Sequence, residues 1–352
     1  MAQCTVKAGR FAVFLTISLT IRLATCVKLC SIAGKRIEPG MEIFVVAGEV
    51  IRLNAAGWSA DILPETGGAI ASLCHKGQPV LRSAGPDVDD ALDCASFSMI
   101  PFANRIGNAD LRFGDQVLPL VPDPAALPHA LHGHGWRVAW AVKRVTPSEV
   151  VLAIDHAGRD ARSNRGWPWA YHAEQRITIG PSGLSIALAV TNRDPVANMP
   201  CGTGIHPYFA RRPDSAIQAA ATTMWASRAD GLAIEQVRSD IFSSGQGVLV
   251  TQIEGLDNYF PCAGPVTVLG GDRPIMVGGD GMAGVHIYVP RGQDYFCVEP
   301  VSHAPNAFGR GEYGAADIIA PGATKRWRWG ISSSEDGLPR SSGSGKDPQV
   351  SE

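Results

Sequence analysis

The sequence lacks several features that would assign it at once to a large class of proteins. Eight cysteines are scattered through 352 residues without any C-x-x-C pair, so neither a zinc site nor a thioredoxin-like motif is indicated. No G-x-G-x-x-G stands between a strand and a helix and there is no P-loop, so no nucleotide cofactor is signalled. The formal net charge of −2 gives no electrostatic reason to expect nucleic acid or an anionic membrane surface as a partner.

A membrane-spanning run is also missing. The apolar run from Phe11 to Ile21 is too short to cross a bilayer. With a faint lipoprotein cleavage site at 23–26, it could instead form an export signal. The pattern of folded protein starts only after Met41, so we interpret residues 1–42 as an extension outside the fold. The scattered cysteines indicate reduced thiols and a cytoplasmic protein, whereas export would follow if residues 1–26 act as a signal.

What the sequence does contain is a succession of short β-rich runs. Turn residues recur roughly every eight to twelve positions, the spacing of a sandwich or barrel, and 39 Gly and 25 Pro agree with this. No long segment has helical periodicity, and residues 87–95 could hold one or two helical turns. The pattern predicts an all-β domain over 43–332, followed by a disordered tail over 333–352. The runs include Trp58–Leu63, Ala69–Leu73, Val138–Val145, Glu149–Ile154, His172–Ile179, Leu184–Val190, Val248–Ile253, Val285–Val289 and Tyr295–Val298.

The stretch Gly202–Phe209 reads G-T-G-I-H-P-Y-F and is one of five that set polar residues among Gly, Pro and aromatic neighbours. Pro207 cannot donate to a β-ladder, and it pushes His206 into an extended or turn conformation. His206 is therefore expected where a strand leaves its sheet, with its imidazole directed outward rather than buried. Its unperturbed pKa near neutrality suits general acid or base catalysis, although an isolated His-Pro is commonly just a turn.

Two further stretches carry candidate ligand-binding groups. Asn104 and Arg105 end an apolar run, and the fixed fork of arginine donors could hold a sugar hydroxyl. His132 and His134 lie among glycines, where backbone can approach a ligand closely. Together with His129 they could be interpreted as a metal site, but no matching carboxylate or cysteine cluster supports that. We therefore expect no metal.

The last two stretches each contribute a carboxylate. Asp257 stands beside aromatic residues and would be unremarkable as a turn residue. Alternation puts Glu299 on the same strand face as Tyr295 and Cys297, and Pro300 is expected to end the ladder just after it. A carboxylate at the end of an apolar strand is costly unless it is paired or useful. Glu299 is therefore a candidate general base.

These stretches resemble the aldose 1-epimerases, the galactose mutarotases. The resemblance implies a large antiparallel β-sandwich that acts on a small sugar without a cofactor or metal. It places the catalytic acid on His206 and the base on Glu299, and it places substrate binding on Asn104, Arg105, His132 and Asp257. The matching segments occur in the family's order: N-R-I-G at 104–107, L-H-G at 131–133, G-W-P at 166–168, H-P-Y-F at 206–209, L-D-N-Y-F at 256–260, and E-P at 299–300 with P-N-A at 305–307.

The implied function is the interconversion of the α- and β-anomers of a free aldohexose. An ionised Glu299 would take the C1 hydroxyl proton, and a protonated His206 would give one to the ring oxygen. A nearby Asp257 would raise the pKa of His206 and keep it charged. His134 stands where the family often has glycine and Asn306 where aspartate is usual, departures that bear on sugar preference more than on chemistry.

Two alternatives stay open. A hexose-phosphate mutarotase would need a basic pocket, for which Arg137, Arg162 and Arg165 are unplaced candidates. A non-catalytic sugar-binding protein could share the fold, since a fold does not by itself fix an activity. The sequence also leaves the oligomeric state open.

Overall fold

The computed structural model describes residues 50–85, 87–159 and 166–333. The extension predicted for residues 1–42 lies outside the described residues, and so does the tail predicted for 333–352, apart from Ser333. Both remain predictions.

Short strands make up most of the described chain. In chain order they begin with β1 (Ile51–Ala55), β2 (Trp58–Leu63), β3 (Ala69–His75), β4 (Gln78–Pro79), β5 (Ser98–Met99), β6 (Arg105–Ile106), β7 (Asp110–Phe113), β8 (Gln116–Pro119) and β9 (Ala130–Leu131). They continue with β10 (Ala141–Thr146), β11 (Glu149–Ala157), β12 (Ala170–Gly180), β13 (Gly183–Asn192), β14 (Met199–Pro200), β15 (Gly204–Ile205), β16 (Tyr208–Ala210), β17 (Ala216–Gln218) and β18 (Ala221–Ser227). The last are β19 (Ala233–Phe242), β20 (Gly247–Leu249), β21 (Asp257–Pro261), β22 (Val266–Leu269), β23 (Ile275–Asp280), β24 (Gly284–Tyr288), β25 (Tyr295–Val301), β26 (Ile318–Ile319) and β27 (Thr324–Ser332).

Helical structure in the described residues is confined to single turns. The α-helix α1 covers Ala307–Arg310, and the 3-10 turns are Ala91–Asp93, Gly107–Ala109, Pro124–Ala126, Gly135–Arg137, Val250–Gln252 and Ala315–Asp317. Among all the residues that the structure describes, no helix is long and apolar enough to cross a membrane.

Two large antiparallel sheets dominate the fold. One has nine strands in the order β10-β11-β12-β13-β27-β23-β22-β17-β20. The other has eight, in the order β19-β18-β21-β24-β25-β15-β5 with β16 also paired to β25. A four-stranded sheet, β1-β2-β3-β4, accompanies them, and three strand pairs, β6-β9, β7-β8 and β14-β26, complete the set. The predicted large antiparallel β-sandwich is confirmed.

The two faces of β25 show where the core lies. Phe296 and Val298 belong to the main core, together with Ile177 of β12 and Leu188 of β13 in the nine-stranded sheet. Cys297 points to the opposite face and joins a second cluster that includes Phe97 and Tyr208. One face of the eight-stranded sheet therefore closes the core, and the other is left to build a site.

Two details of the predicted strands were wrong. The run Val248–Ile253 is strand only to Leu249 and then turns into a 3-10 helix, because its partner β17 begins at Ala216, opposite Leu249. Pro300 does not end β25: the strand continues to Val301, and Pro300 lies opposite Val285. A proline inside a strand that β24 and β15 flank departs from the usual edge position of proline in sheets, which is why the sequence did not predict it.

Candidate active site

The segment around His206 is one strand interrupted opposite Glu299. β15 pairs Gly204 with Val301, and β16 pairs Tyr208 with Cys297, both on β25 in the same antiparallel register. That register puts His206 directly across from Glu299. Pro207 cannot donate a hydrogen bond to the ladder, and pairing with β25 is interrupted over three residues, Ile205, His206 and Pro207. The sequence thus frees the backbone at the point where the two side chains meet.

On the other side of β25, Glu299 has a second histidine as its neighbour. His286 of β24 is the cross-strand partner of Glu299, and Tyr259 of β21 is in turn the partner of His286. One row across the sheet therefore carries His206, Glu299, His286 and Tyr259. The sequence analysis missed His286 because the residue lies inside an apolar strand run with no Gly or Pro beside it. Its place in the row comes from the hairpin register alone.

A wall formed by Asn104, His132 and the short strands β6 and β9 faces these strands, and we call it the loop wall. Arg105 of β6 lies opposite Leu131 of β9, and Asn104 and His132 adjoin that pair. Asn104 and His132 both adopt left-handed backbone, with φ of 58° and 53°. They hold each other in place: the His132 N–H donates to the Asn104 carbonyl at 3.0 Å, and the Asn104 N–H donates to Nδ1 of His132 at 3.0 Å.

A pocket of about 520 Å³ opens between the sheet and this wall, within the usual range for small-molecule sites. It is lined by all six residues that the sequence analysis selected, namely Asn104, Arg105, His132, His206, Asp257 and Glu299. His286 also lines it, as do Arg82, Asp93, Tyr208, Tyr288, Asp294 and Tyr295.

His206 and Glu299 form a close, buried pair. Nε2 of His206 lies 3.3 Å from Oε1 of Glu299, and the two residues are 6% and 2% exposed. Burial disfavours charge on each of them, so it raises the pKa of Glu299 to about 7 and lowers the pKa of His206 to about 3. Burial therefore favours the neutral form of both partners.

Two expectations for His206 were therefore wrong. Its imidazole is buried rather than directed outward, since it is 6% exposed and packs against the rings of both Phe97 and Tyr208. Its pKa is lowered, not raised, because burial outweighs everything else and the neighbouring His286 adds to the effect. Asp257 contributes an opposing but smaller attraction.

The strong partner of Asp257 is His286. Its Oδ1 lies 2.6 Å from Nε2 of His286, and its Oδ2 lies 3.9 Å from Nη2 of Arg105. Burial opposes charge on both members, but their hydrogen bond and mutual attraction outweigh it, so the pKa of His286 is raised and that of Asp257 is lowered. Nδ1 of His286 lies 3.2 Å from the side-chain nitrogen of Asn104, which ties this dyad to the loop wall.

Comparison with known proteins shows to which protein family the chain belongs. The sequence profile of the aldose 1-epimerases matches residues 49–331, which is most of the chain. The chain belongs to the aldose 1-epimerase family. An uncharacterized Escherichia coli K12 protein, YphB, is 28% identical over 277 residues, covering 73% of this chain and 90% of YphB.

Solved structures agree with this family assignment. A candidate aldose 1-epimerase from Escherichia coli K12, known from its crystal structure, shares 26% sequence identity with this chain and has a TM-score of 0.72. The alignment covers 81% of this chain and 98% of that one. The galactose 1-epimerase of Lactobacillus acidophilus NCFM shares 12% sequence identity with this chain, and its structure has a TM-score of 0.64. The alignment covers 83% of this chain and 97% of that one. At 12% identity the likeness shows the fold alone.

Within this pocket His132, His206 and Glu299 offer three ligand atoms that all lie within 4.8 Å of one another. The hydrogen bonding of His132 does not suit a metal ligand, however. Its Nδ1 accepts from the Asn104 N–H, so the neutral ring carries its proton on Nε2, whereas a metal-bound imidazole donates from its other nitrogen to an acceptor. Burial also lowers the pKa of His132 far below its usual value. His132 is therefore a neutral hydrogen-bond donor toward the pocket.

The three histidines considered as a metal cluster go to three different places. His132 lines the pocket that holds His206 and Glu299. His129 is buried behind it, with Nε2 at 3.3 Å from an Asp230 oxygen. His134 lies beside a different cavity, where its Nε2 is 2.9 Å from the Tyr171 hydroxyl.

Both departures from the family pattern lie outside the pocket lining. His134 lies in the cavity just described, and Asn306 caps α1 and accepts a hydrogen bond from the Gly107 N–H at 2.9 Å. Neither side chain is placed to select a sugar.

Proposed function

We propose that this protein is an aldose 1-epimerase that interconverts the anomers of a free, uncharged aldohexose by acid–base catalysis. The buried His206–Glu299 pair, 3.3 Å apart on the pocket floor, is the observation that carries the proposal. An acid and a base in contact can remove a proton from one oxygen of a sugar and give a proton to another, provided that both oxygens lie within hydrogen-bond reach.

The proton transfers balance over one turnover. Glu299 takes the proton of the C1 hydroxyl while His206 gives a proton to the ring oxygen, so the C1–O5 bond breaks and an aldehyde forms. C1 then rotates about its bond to C2. Ring closure on the other face returns the O5 proton to His206 and the Glu299 proton to the new C1 hydroxyl. No other reactant is consumed.

The working protonation state needs the single proton of the pair on His206. Burial disfavours both ionised forms, so it opposes the carboxylate–imidazolium pair. Transfer across 3.3 Å converts the neutral pair to carboxylate and imidazolium, and sugar hydroxyls that donate to the carboxylate would stabilise this ionised form. The pair titrates as a unit, so activity should follow its macroscopic pKa values.

Charge in the pocket supports an uncharged substrate. The lining includes three aspartates, Asp93, Asp257 and Asp294, against Arg82, Arg105 and His286, so the pocket carries no excess of positive charge. Arg137, considered as a phosphate ligand, instead pairs with Asp90 and Asp123 and does not line this pocket. Arg162 and Arg165 lie outside the described residues. This balance disfavours a sugar phosphate.

The test is polarimetry on freshly dissolved α-D-glucose, α-D-galactose and hexose 6-phosphates, with the spontaneous rate subtracted. We expect acceleration for at least one free hexose and little for the phosphates, with Glu299→Gln as the inactive control. Faster conversion of the phosphates would overturn the substrate class. Sugar binding without acceleration, measured by calorimetry, would instead make this a sugar-binding protein.

A further inference from the structure

His206 belongs to a chain of side chains that contact one another in turn. Its ring lies 4.8 Å from that of Phe97 and 4.6 Å from that of Tyr208, with interplanar angles of 22° and 24°. The Phe97 and Tyr208 rings are themselves 6.4 Å apart, so the chain bends at His206 and the two rings do not lie on opposite faces of the imidazole. The Phe97 ring stacks in turn on Trp136 at 5.1 Å, and an arginine guanidinium covers each outer ring at 3.6 Å. We call this the ring column, and its members in order are Arg82, Tyr208, His206, Phe97, Trp136 and Arg137.

The ring column matters because His206 lacks the usual means of orientation. A catalytic histidine is normally fixed by a hydrogen bond from the nitrogen that does not react. Nδ1 of His206 is buried without a hydrogen-bond partner in any other described residue, and Nε2 faces Glu299. Contacts with the Phe97 and Tyr208 rings, together with a hydrogen bond to its own backbone, therefore orient the imidazole.

Arg82 closes the column inside the sugar pocket. Its guanidinium lies between two tyrosines, 3.6 Å from the Tyr208 ring centre and 4.7 Å from that of Tyr295. Its Nε donates to the Cys94 carbonyl at 2.9 Å and its Nη2 donates to the Leu92 carbonyl. It makes no ion pair with any residue in the described ranges, so carbonyls and aromatic faces supply its partners. This grip joins the 3-10 turn Ala91–Asp93 to β16 and β25.

Arg137 closes the other end in a different setting. It covers Trp136 at the same 3.6 Å, but its charge is paired with Asp90 and Asp123. It lines the neighbouring cavity and not the sugar pocket. The chain thus offers two arginines in one column, of which only Arg82 stacks on a ring that touches His206.

We propose that Arg82 is a positioning residue of the proposed epimerase reaction. It presses the Tyr208 ring against the imidazole and so keeps Nε2 of His206 at Glu299. A planar guanidinium with two fixed donors can do this, whereas a lysine ammonium can neither stack nor hold two carbonyls in the same plane. The inference rests on the proposed function, because it assigns a role in that reaction.

The test compares Arg82→Gln and Arg82→Lys with Arg137→Gln. Small misplacements of a reacting group can cost up to about 10²-fold in rate, so we expect both Arg82 variants to lose at least about tenfold in kcat. Sugar affinity, measured by calorimetry on the Glu299→Gln background, should stay within about threefold. Arg137→Gln should lower the melting temperature while kcat stays within about twofold.

Other outcomes would overturn the assignment. Parental kcat in Arg82→Lys would mean that only charge matters. Weakened sugar binding with parental kcat would make Arg82 a direct ligand. Equal loss of kcat in the Arg82 and Arg137 variants, in step with melting temperature, would reduce the column to a structural element.

A second measurement is independent of activity. In protein with ¹⁵N-labelled histidine, long-range nitrogen–proton spectra report the tautomer and mobility of His206, whose signals are assigned by their absence in His206→Asn. We expect one ordered tautomer in the parent and an averaged ring in Arg82→Gln. An unchanged spectrum would contradict the proposal. Polarimetry of the parent tests the proposed function separately.

Discussion

Gly231 lies directly against the guanidinium of Arg105. A Cβ at position 231 would be 2.6 Å from Cζ of Arg105 and 2.7 Å from its Nη2, so any larger residue must push the arginine aside. Nε of Arg105 is buried without a hydrogen-bond partner among the described residues. The glycine therefore fixes where the pocket presents this cation.

Gly231→Ala should displace Arg105 and weaken sugar binding. Hydrogen bonds to charged groups contribute about 1.5–3 kcal/mol, so we expect KM to rise roughly tenfold or more. Gly245→Ala is the matched control, because its φ of 69° resembles the 77° of Gly231 and no atom lies within 4 Å of its added Cβ. Both variants should lose similar stability from the backbone. Equal KM values in the two would contradict this role of Arg105.

Glu299→Gln and His206→Asn should each abolish most of the catalysis. Positioned acids and bases typically contribute about 10²–10⁴-fold, so kcat measured by polarimetry should fall by at least about two orders of magnitude. Because both groups act in one step, the double variant should lose less than the product of the single losses. Retention of more than about a third of kcat by either single variant would remove the acid–base assignment.

Much of this arrangement could be predicted from the sequence. What could not be predicted depends on pairing between strands that are far apart in the chain. The short β-rich runs predicted the sandwich, and the resemblance to the aldose 1-epimerases predicted the six pocket residues. That His206 faces Glu299 depends on pairing between strands far apart in the chain, which no local pattern encodes. The position of His286 opposite Glu299 follows from a single hairpin, so a register centred near Gly292 could have revealed it.

Some strands were missed for local reasons. β23 contains Gly278 and Gly279, residues that ordinarily count against a strand. Gly279 is needed there because a Cβ would lie 2.2 Å from the Arg328 carbonyl on the neighbouring β27. Such close strand contacts belong to the packed sheet and are not visible in the sequence.

His286→Gln should move the alkaline limb of the pH–rate profile to higher pH. Burial raises the pKa of Glu299, and the charge of His286 is the leading influence that lowers it again. Glutamine can still donate to Asp257 but carries no charge, so Glu299 should hold its proton above the present value of about 7. His172→Gln, which removes a ring paired with Asp155 at 2.7 Å, is the control. An unmoved limb in His286→Gln would show that His286 does not tune the pair.

A chain beginning at Met41 should fold and keep its activity. The predicted sandwich starts after this residue, and the first strand of the structure, β1, begins at Ile51. Circular dichroism, the melting temperature and polarimetry of the shortened chain provide the check. An insoluble or inactive product would show that residues 1–42 belong to the fold.

Glu299→Gln should stabilise the protein at alkaline pH while it removes activity. The unfolded carboxyl ionises near its ordinary 4.5 and the folded one near 7, so between these values the folded state keeps a proton that the unfolded state has lost. Stability therefore falls as pH rises through this window, by about 3 kcal/mol once it is crossed. Glutamine cannot ionise and escapes this loss.

The free energies of unfolding of the parent and of Glu299→Gln should be similar at pH 4. At that pH the side chain at position 299 is largely neutral in both proteins, folded or unfolded. At pH 8 the variant should be more stable by an amount of this order, measured by urea unfolding at each pH. Glu235→Gln, which alters an exposed carboxyl on β19, should show no such change between the two pH values. A Glu299→Gln variant that gains nothing at pH 8 relative to pH 4 would mean that Glu299 is ionised in the folded protein well below neutrality. The proton of the resting pair would then lie on His206.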